Sequence, residues 1–266
     1  MPFTYLAHQA PALAIKRHWP ASVDGTALAL GTMAPDWAYA LTESRLAFEG
    51  HSLSGLLGFC TPVSVVAALV LRRCAAVAFA YAPSPQQLPL RQLRVLGSRR
   101  PPLVTTALSA AFGASTHVVW DLFTHDERWG PQHIGWLRAT ALSVAGHSIS
   151  WAKILQYAGH TLGSLAAALL LAQLLRSGSL LHWYGADSGA VTGPAPSRGR
   201  IRFVVLTALG TLAGAGWAAP GDPGPAARII RLSLGLAAGL VVASVACRRF
   251  VRTAGPTGMH GPTASR

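Results

Sequence analysis

The chain has 266 residues, of which 51% are hydrophobic and only 12% are charged, and its mean hydropathy is +0.38. Because soluble domains carry roughly 25% charged residues, this composition excludes an ordinary soluble enzyme. The formal net charge is +13, which would indicate nucleic-acid binding if the basic residues shared one compact surface.

Long apolar segments predict the membrane helices. A helix needs about 20 mainly apolar residues to cross a bilayer, and five segments meet or approach that length: residues 53–71, 103–123, 157–175, 201–219 and 229–247. A sixth candidate, residues 26–41, is shorter and contains Pro35 and Asp36. We therefore expect an all-α integral membrane bundle of five or six transmembrane helices, in a multi-pass protein of the bacterial cytoplasmic (inner) membrane.

The arginines indicate how the helices are oriented, because basic residues concentrate in cytoplasmic loops. One orientation places residues 72–102, residues 176–200 and the C-terminus in the cytoplasm. It accounts for 14 of the 22 basic residues: Arg72, Arg73, Arg91, Arg94, Arg99, Arg100, Arg176, Arg198, Arg200, Arg202, Arg248, Arg249, Arg252 and Arg266. The net charge is therefore a topology signal, and no nucleic-acid partner is expected.

Composition also divides the chain into four regions. Residues 1–175 are expected to form a membrane domain, and residues 176–200, rich in Pro, Gly and Ser, a cytoplasmic linker. Residues 201–247 are expected to form a C-terminal transmembrane hairpin without chemistry, in which two Gly-x-x-x-Gly spacings allow close helix packing. Residues 248–266 are expected to be a disordered basic tail.

Ionisable residues converge on the outer end of this arrangement. His117, Asp121 and His125 are spaced four apart, so a helix would place them on one face as a polar stripe about 12 Å long. His51 directly precedes the helix that begins at residue 53, and Asp36 lies near the end of the short apolar segment. Three separate segments therefore bring His and Asp to one level of the bundle.

Imidazole and carboxylate groups are typical ligands of zinc, manganese and iron. The cluster predicts a divalent metal site, with zinc as the expected ion, and hydrolysis by a metal-activated water. In the alternative, His117 and Asp121 are a buried hydrogen-bonded pair and His51 lies at the membrane interface. Four outer-loop acids are general-base candidates or solvated charges: Glu43, Glu49, Asp126 and Glu127.

The order of motifs carries a family resemblance. The sequence contains MPFT-x-x-x-His8, GTMAPD at 31–36, His51-Ser52, and His117-x-x-x-Asp121-x-Phe-Thr-His125, followed by Leu155-Gln156. Over residues 1–175 it resembles a bacterial multi-pass family carried as a domain of unknown function, which is similar to membrane-bound metal-dependent hydrolases. The likeness extends more remotely to zinc-dependent phospholipase C, an all-helical phosphodiesterase. This resemblance implies as metal ligands His8, Asp36, His51, His117 and Asp121, with His125 as a sixth and His147 as a further candidate.

The position of His8 depends on how residues 26–41 run. If this segment crosses the membrane, His8 is cytoplasmic and separate from the other candidates; Lys16 and Arg17 favour this path. If the segment dips in and returns, broken at Pro35, His8 lies with the others. The resemblance favours the return, which we take as the prediction.

The resulting expectation is a membrane-bound metal-dependent hydrolase acting on a phosphoester or lipid head group at the outer face, with membrane lipid as its partner. The alternative is a non-enzymatic membrane scaffold or a small metal or proton carrier. A carrier would need polar residues continuing toward the cytoplasm, and the two C-terminal helices supply none.

Overall fold

The computed structural model describes residues 4–86, 88–186 and 197–251, and these residues are predominantly helical. The helices are α1 (Thr4–Ala7), α2 (Gln9–His18), α3 (Gly25–Gly31), α4 (Ala34–Trp37), α5 (Leu53–Ala78), α6 (Leu103–Thr124), α7 (Trp129–His133), α8 (Gly135–Arg138), α9 (Trp151–Arg176), α10 (Ser179–Tyr184), α11 (Arg200–Ala218) and α12 (Gly224–Cys247). Short 3-10 turns occupy Ala38–Leu41, Leu90–Gly97 and Arg248–Phe250, and α5 contains one π turn at Leu56–Cys60.

Five helical segments are long and apolar enough to cross a membrane: Leu53–Ala78, Leu103–His133, Trp151–Arg176, Arg200–Ala218 and Gly224–Phe250. The described part of the chain contains no sixth segment of this kind. The short candidate at residues 26–41 instead holds α3, the single turn of α4 and a 3-10 turn. The bundle therefore has five candidate membrane spans, the lower of the two expected numbers.

The N-terminal helices α2 and α3 form a hairpin. Two contacts place this hairpin along α9. Ala7 lies against Gly163, and the Arg17 guanidinium donates a hydrogen bond to Oε1 of Gln173 at 2.7 Å. Helix α2 therefore runs alongside α9 in the same direction, and α3 returns along α6. The chain reverses at residues 19–24, where the Asp24 side chain accepts the Ala27 N–H and caps α3.

This path corrects the expected break at Pro35. Pro35 lies in the first turn of α4, where its missing N–H and fixed φ are compatible with a helix. The reversal lies instead between α2 and α3. His8 and Asp36 consequently occupy the same end of the hairpin, although the turn that brings them together is 11 residues or more before Pro35.

Two glycines allow α3 to contact α6 through backbone atoms. A Cβ added at Gly31 would lie 2.2 Å from the carbonyl oxygen of Ala110, and one added at Gly113 would lie 2.2 Å from that of Leu28. Any side chain at either position would separate the two helices. This close approach places the Thr32 carbonyl oxygen 2.7 Å from Nδ1 of His117.

The two ends of the bundle carry different charges. The end formed by residues 38–52, 125–150 and 219–223, called the acidic end here, is joined by the Glu49–Arg128 ion pair and by the Asp222 N–H donating to Glu43. Seven of the nine acidic residues lie within these ranges or at most four residues from them: Asp36, Glu43, Glu49, Asp121, Asp126, Glu127 and Asp222. The opposite end, called the arginine end, holds those of the arginines assigned to the cytoplasm that lie within the described residues.

The arginine end is more structured than its loop-like composition predicted. The 3-10 turn Leu90–Gly97 and helix α10 share a small apolar core that contains Val95, Leu175, Leu180 and Leu181. Of the expected linker, residues 187–196 lie outside the described residues, as do residues 252–266 of the expected tail. The Arg248–Phe250 turn is described, and Val251 after it is buried.

Arg72 lies inside a helix and not in the loop that was expected for it. Helix α5 continues to Ala78, so Arg72 lies inside the helix, buried, with its guanidinium on the Asp24 carboxylate. The Thr106 hydroxyl donates to the same carboxylate at 2.7 Å, and the Asp24 N–H donates to Ser109. A buried ion pair therefore fastens the turn of the N-terminal hairpin to α5 and α6.

The C-terminal hairpin packs through its glycines. A Cβ at Gly210 would lie 2.4 Å from the Cα of Gly239, and one at Gly235 would lie 2.5 Å from the Cα of Gly214. The two Gly-x-x-x-Gly spacings therefore face each other, and α11 and α12 are in backbone contact along this stretch.

One small sheet departs from the all-helical expectation. β1 (Thr140–Val144) pairs antiparallel with β2 (His147–Ser150) at the acidic end, and both strands are largely exposed. The turn between them has positive φ at Ala145 and Gly146, as two-residue hairpin turns of type I′ require.

Candidate metal centre

Five of the candidate ligands come together in the interior at the acidic end. His8 lies between α1 and α2, and Asp36 lies in α4. His51 lies two residues before the start of α5, and His117 and Asp121 lie in α6. All five are buried, with His117 only 1% exposed. Charged or polar groups buried so completely need partners or a bound ion.

Four of these groups face a common point. Oδ2 of Asp121 lies 3.3 Å from Nε2 of His51 and 3.3 Å from Nε2 of His117, and the two Nε2 atoms are 3.3 Å apart. Oδ1 of Asp36 lies 3.5 Å from Nε2 of His117 and 3.7 Å from Nε2 of His51. Two imidazoles and two carboxylates therefore direct single atoms at one small volume.

His8 and His125 approach the other oxygen of Asp121. Nε2 of His8 lies 3.9 Å and Nδ1 of His125 lies 3.7 Å from Asp121 Oδ1. The His8 ring also stacks on His117, with ring centroids 3.8 Å apart. Oδ1 of Asp121 is itself buried and has no hydrogen-bond partner. It is an acceptor left open toward the centre of the cluster.

The ligand atoms form two groups that share His117. In each group the three atoms lie within 4.8 Å of one another: His8, His117 and Asp121 in one, and Asp36, His51 and His117 in the other. The more exposed His125, with 36% of its side chain accessible, lies at the edge of the first group.

Contacts behind the cluster orient two of the imidazoles. The Thr32 carbonyl lies 2.7 Å from Nδ1 of His117, so Nδ1–H donates to it and Nε2 keeps its lone pair for the centre. Glu49 lies 3.5 Å from Nδ1 of His51 and also accepts the His51 backbone N–H at 2.9 Å. Metal-binding histidines in proteins are usually held by such a contact at the second ring nitrogen.

Gln156 orients the His125 ring in the same way. The Gln156 amide nitrogen lies 2.7 Å from Nε2 of His125, while its Oε1 is buried without a partner. Amide oxygen and nitrogen are assigned from their surroundings, and exchanging them lets His125 Nε2–H donate to Oε1. In that arrangement His125 Nδ1 presents a lone pair toward Asp121.

The protonation of groups around the cluster suits ligand binding. Burial, assisted by the neighbouring His117, lowers the pKa of His8 to about 3, so the imidazole is neutral at pH 7 and can act as a ligand. Burial and the charge of Asp36 raise the pKa of Tyr39 to about 12, so the phenol keeps its proton. Partial burial works to raise the pKa of Glu49, but the hydrogen bond from the His51 N–H and the charge of Arg128 outweigh it and lower the pKa.

The cluster opens into a cavity of about 80 Å³. Five of the six candidate ligands line it together with three other polar side chains and three apolar residues of α12. The full lining is Tyr5, His8, Asp36, Tyr39, His117, Asp121, His125, Gln156, Ala226, Ile229 and Ile230. None of these lining residues is a lysine or an arginine. The carboxylates therefore face no fixed cation across the cavity.

These residues fit a divalent ion. The donors are imidazole nitrogens and carboxylate oxygens, which suit zinc, manganese and iron. A bound cation would give the buried Asp121 carboxylate the positive partner that these neighbours do not supply. A simple hydrogen-bonded pair of His117 and Asp121 leaves that buried oxygen without any partner.

Residues 1–248 match the family described as Domain of unknown function (DUF4184). The chain belongs to the DUF4184 family. The match extends beyond the region of the predicted resemblance, residues 1–175, and includes α11 and α12. Comparisons with curated proteins and with solved structures each gave no match.

Within this DUF4184 domain, the structure brings together His8, Asp36, His51, His117 and Asp121, with His125 at the edge. His147 is not among them, because it lies on the exposed strand β2 and contacts the Ala145 carbonyl of its own hairpin. Of the outer-loop acids, Glu49 contacts His51, whereas Glu43 contacts the turn before α12.

Sequence reasoning missed four groups of the DUF4184 site: Tyr5, Thr32, Tyr39 and Gln156. Thr32 contributes a backbone carbonyl, which no side-chain pattern reveals. Gln156 was visible as an amide between apolar residues of a membrane helix, a costly position that indicates a partner. The two tyrosines carried no signal beyond their closeness to His8 and Asp36 in the chain.

Proposed function

We propose that this DUF4184 protein is a membrane-bound metal-dependent hydrolase, which holds a divalent ion, zinc, in the His/Asp cluster and acts on a phosphoester or lipid head group. The observation that carries the proposal is the buried Asp121 carboxylate. Two histidine Nε2 atoms lie 3.3 Å from one of its oxygens, and its other oxygen has no hydrogen-bond partner.

In this proposal His8, Asp36, His51, His117 and Asp121 hold the ion, with His125 at the cavity edge. A bound divalent ion supplies a Lewis acid and lowers the pKa of a coordinated water toward neutrality. Thr32 and Glu49 keep His117 and His51 in the orientation that presents Nε2. Tyr39, which keeps its proton, is placed to donate a hydrogen bond to an oxygen of the substrate.

Metal analysis of the detergent-purified protein tests the proposal. We expect stoichiometric zinc in the wild type, and loss of most of it in Asp121→Asn and His117→Ala. The asparagine keeps the shape of the side chain and its capacity for hydrogen bonds but removes the ligand charge. His147→Ala is the matched control, since this histidine is exposed and should keep full zinc content.

Hydrolysis of p-nitrophenyl phosphate and of bis-p-nitrophenyl phosphate is measured on the same samples, and activity should follow zinc content. A wild type without stoichiometric metal, or an Asp121→Asn variant that binds zinc as well as wild type, contradicts the proposal. Full zinc content without hydrolysis of any phosphoester would favour a non-enzymatic scaffold or metal carrier instead.

We also propose that the protein resides in the bacterial cytoplasmic membrane with the arginine end and the C-terminus in the cytoplasm, since arginines concentrate on that side. The cluster then opens toward the outer face. An alkaline phosphatase fusion after Pro85 should be inactive, and one after Ala145 should be active. The reverse pattern would place the cluster at the cytoplasmic side.

A further inference from the structure

The C-terminal hairpin forms one wall of the cavity beside the cluster. Ala226, Ile229 and Ile230 of α12 line the cavity together with the histidines and carboxylates. The hairpin was expected to be structural and without chemistry, but its first two turns complete the candidate site. The cavity is consequently lined by both polar and apolar side chains.

A buried arginine holds this wall in place. Arg231 is only 5% exposed, and its guanidinium donates to the Ala40 carbonyl at 3.0 Å, to the Thr42 carbonyl at 2.7 Å and to the Trp217 carbonyl at 3.4 Å. Its charge also lies 5.4 Å from the centre of the Trp217 ring. Arg231, the residue after Ile230, therefore connects α12 to residues 38–42. This turn follows the helix that carries Asp36.

The cavity is too small for a whole substrate. Its volume is about 80 Å³, whereas pockets that enclose a small molecule usually measure roughly 300–1,000 Å³. Only a small polar group can enter beside the cluster, and the remainder of the substrate must stay outside. No lysine or arginine lines the cavity to pair with an additional anionic substituent.

The surface next to the apolar wall is suited to hydrocarbon. Ile229 is only partly buried, and the following turns of α12 expose Leu232 and Leu236. Helix α12 belongs to a candidate membrane span, so these exposed leucines, three and seven residues after Ile229, continue the apolar face of the wall toward lipid.

We propose that the substrate is a membrane lipid with a small phosphate head, whose acyl chain lies against Ile229 and Ile230 while the phosphate reaches the cluster. Arg231 is the positioning residue that keeps this wall over the cavity. This inference rests on the proposed hydrolase function and specifies its substrate class. A phosphocholine lipid would have to keep its head group outside the cavity as well as its acyl chains, so we expect it to bind less well.

Photo-crosslinking tests the position of the acyl chain without reference to activity. The zinc-loaded full chain is placed in vesicles containing a phosphatidic acid that carries a diazirine in its acyl chain, and crosslinked peptides are identified by mass spectrometry. We expect crosslinks at Ile229 and Ile230, and their loss in Ile229→Trp with zinc content unchanged. Leu209→Trp, on the lipid-facing side of α11, is the control and should keep the crosslinks.

The turnover of two substrates provides the second measurement. In Ile229→Trp, the ratio of kcat/KM for phosphatidic acid to that for p-nitrophenyl phosphate should fall by about tenfold or more, since small changes in an apolar pocket have effects of this size. Leu209→Trp should leave the ratio unchanged. Phosphatidylcholine should be a poor substrate for the wild type.

Arg231→Met should raise KM for phosphatidic acid more than it lowers kcat, because the wall is displaced while the ligands remain. Arg231→Lys, which can still donate to the Ala40 and Thr42 carbonyls, should restore part of the loss. Equal effects of both variants on the two substrates would reduce Arg231 to a packing role and contradict its assignment as a positioning residue.

The outcomes separate this inference from the proposed function. Zinc binding and p-nitrophenyl phosphate hydrolysis, combined with crosslinks on other helices and an unchanged substrate ratio in Ile229→Trp, overturn the lipid inference alone. A wild type that holds no zinc and hydrolyses neither substrate overturns both.

Discussion

Two buried aspartates lie at opposite ends of the bundle, and their surroundings differ. At the arginine end, one oxygen of Asp24 accepts from Arg72 and Thr106, and the other accepts the Ala27 N–H. At the acidic end, Oδ2 of Asp121 is near two imidazoles, while Oδ1 has no hydrogen-bond partner. The first carboxylate is fully paired within the protein, and the second is left open.

The chemical nature of the partners explains this difference. Arginine carries a permanent charge and five donors, so Arg72 pairs with the Asp24 carboxylate as a fixed cation. Histidine can be neutral and then offers a lone pair to a metal. Both clusters are connected through α6, and between them lies the tight contact of Gly113 with α3. One helix therefore supports a closed structural pair and an open candidate site.

Removing the cation from the closed pair should have the largest effect on stability. Arg72→Ala leaves the Asp24 carboxylate buried and unpaired, which should lower the free energy of unfolding by about 3–5 kcal/mol. Denaturant unfolding in detergent measures this change. Arg73→Ala, one residue away and exposed, should change it by no more than about 0.5 kcal/mol. Similar values for the two variants would contradict a structural role of the pair.

Metal removal should affect only the open site. At a zinc concentration about 100 times its Kd, the wild type should gain about 2.7 kcal/mol of stability, and a chelator should remove that gain. Asp121→Asn should show little response to zinc or to chelator, whereas Asp24→Asn should be less stable but should still respond. A chelator effect on Asp121→Asn as large as that on wild type would contradict the assignment.

The contact behind His51 should have a smaller effect. Glu49→Gln weakens the acceptor that orients the His51 ring, and loss of such a contact lowers metal affinity by roughly 10–100-fold. We expect the lower part of this range, since Glu49 is the partner of one ligand among several. Titration against a zinc-binding dye measures the affinity. Glu43→Gln, at the same end but bonded to Asp222, should bind zinc like wild type.

The sequence predicted the features that depend on local patterns. Long apolar runs indicated the membrane helices, and the four-residue spacing placed His117 and Asp121 on one face of α6. The end of the apolar run at residue 71 suggested a loop position for Arg72. Its burial depends on a contact with Asp24, 48 residues earlier in the chain. No local sequence pattern indicates a contact between residues so far apart.

The turn of the N-terminal hairpin was predicted at the wrong position, because Pro35 and Asp24 each signalled a possible break. Pro35 suggested a break, although proline is well tolerated in the first turn of a helix. Asp24 before Gly25 was the better signal, since aspartate is a strongly preferred N-cap residue. The Thr32 carbonyl contact with His117 could not be predicted, because it depends on how closely Gly31 lets two helices approach.

The short N-terminal hairpin has a consequence for the order of biogenesis. At 1.5 Å per residue, α2 and α3 are only about 15 Å and 10 Å long, so neither can cross a hydrocarbon core of about 30 Å. The ribosome releases this hairpin before α6, because the surface that receives it on α6 is synthesised about 80 residues later. His8 and Asp36 can reach their final positions only after α6 has entered the membrane. The hairpin is therefore made before α6 but reaches its final position after it, and a chain stalled before α6 would carry half of the candidate ligands with no site to join.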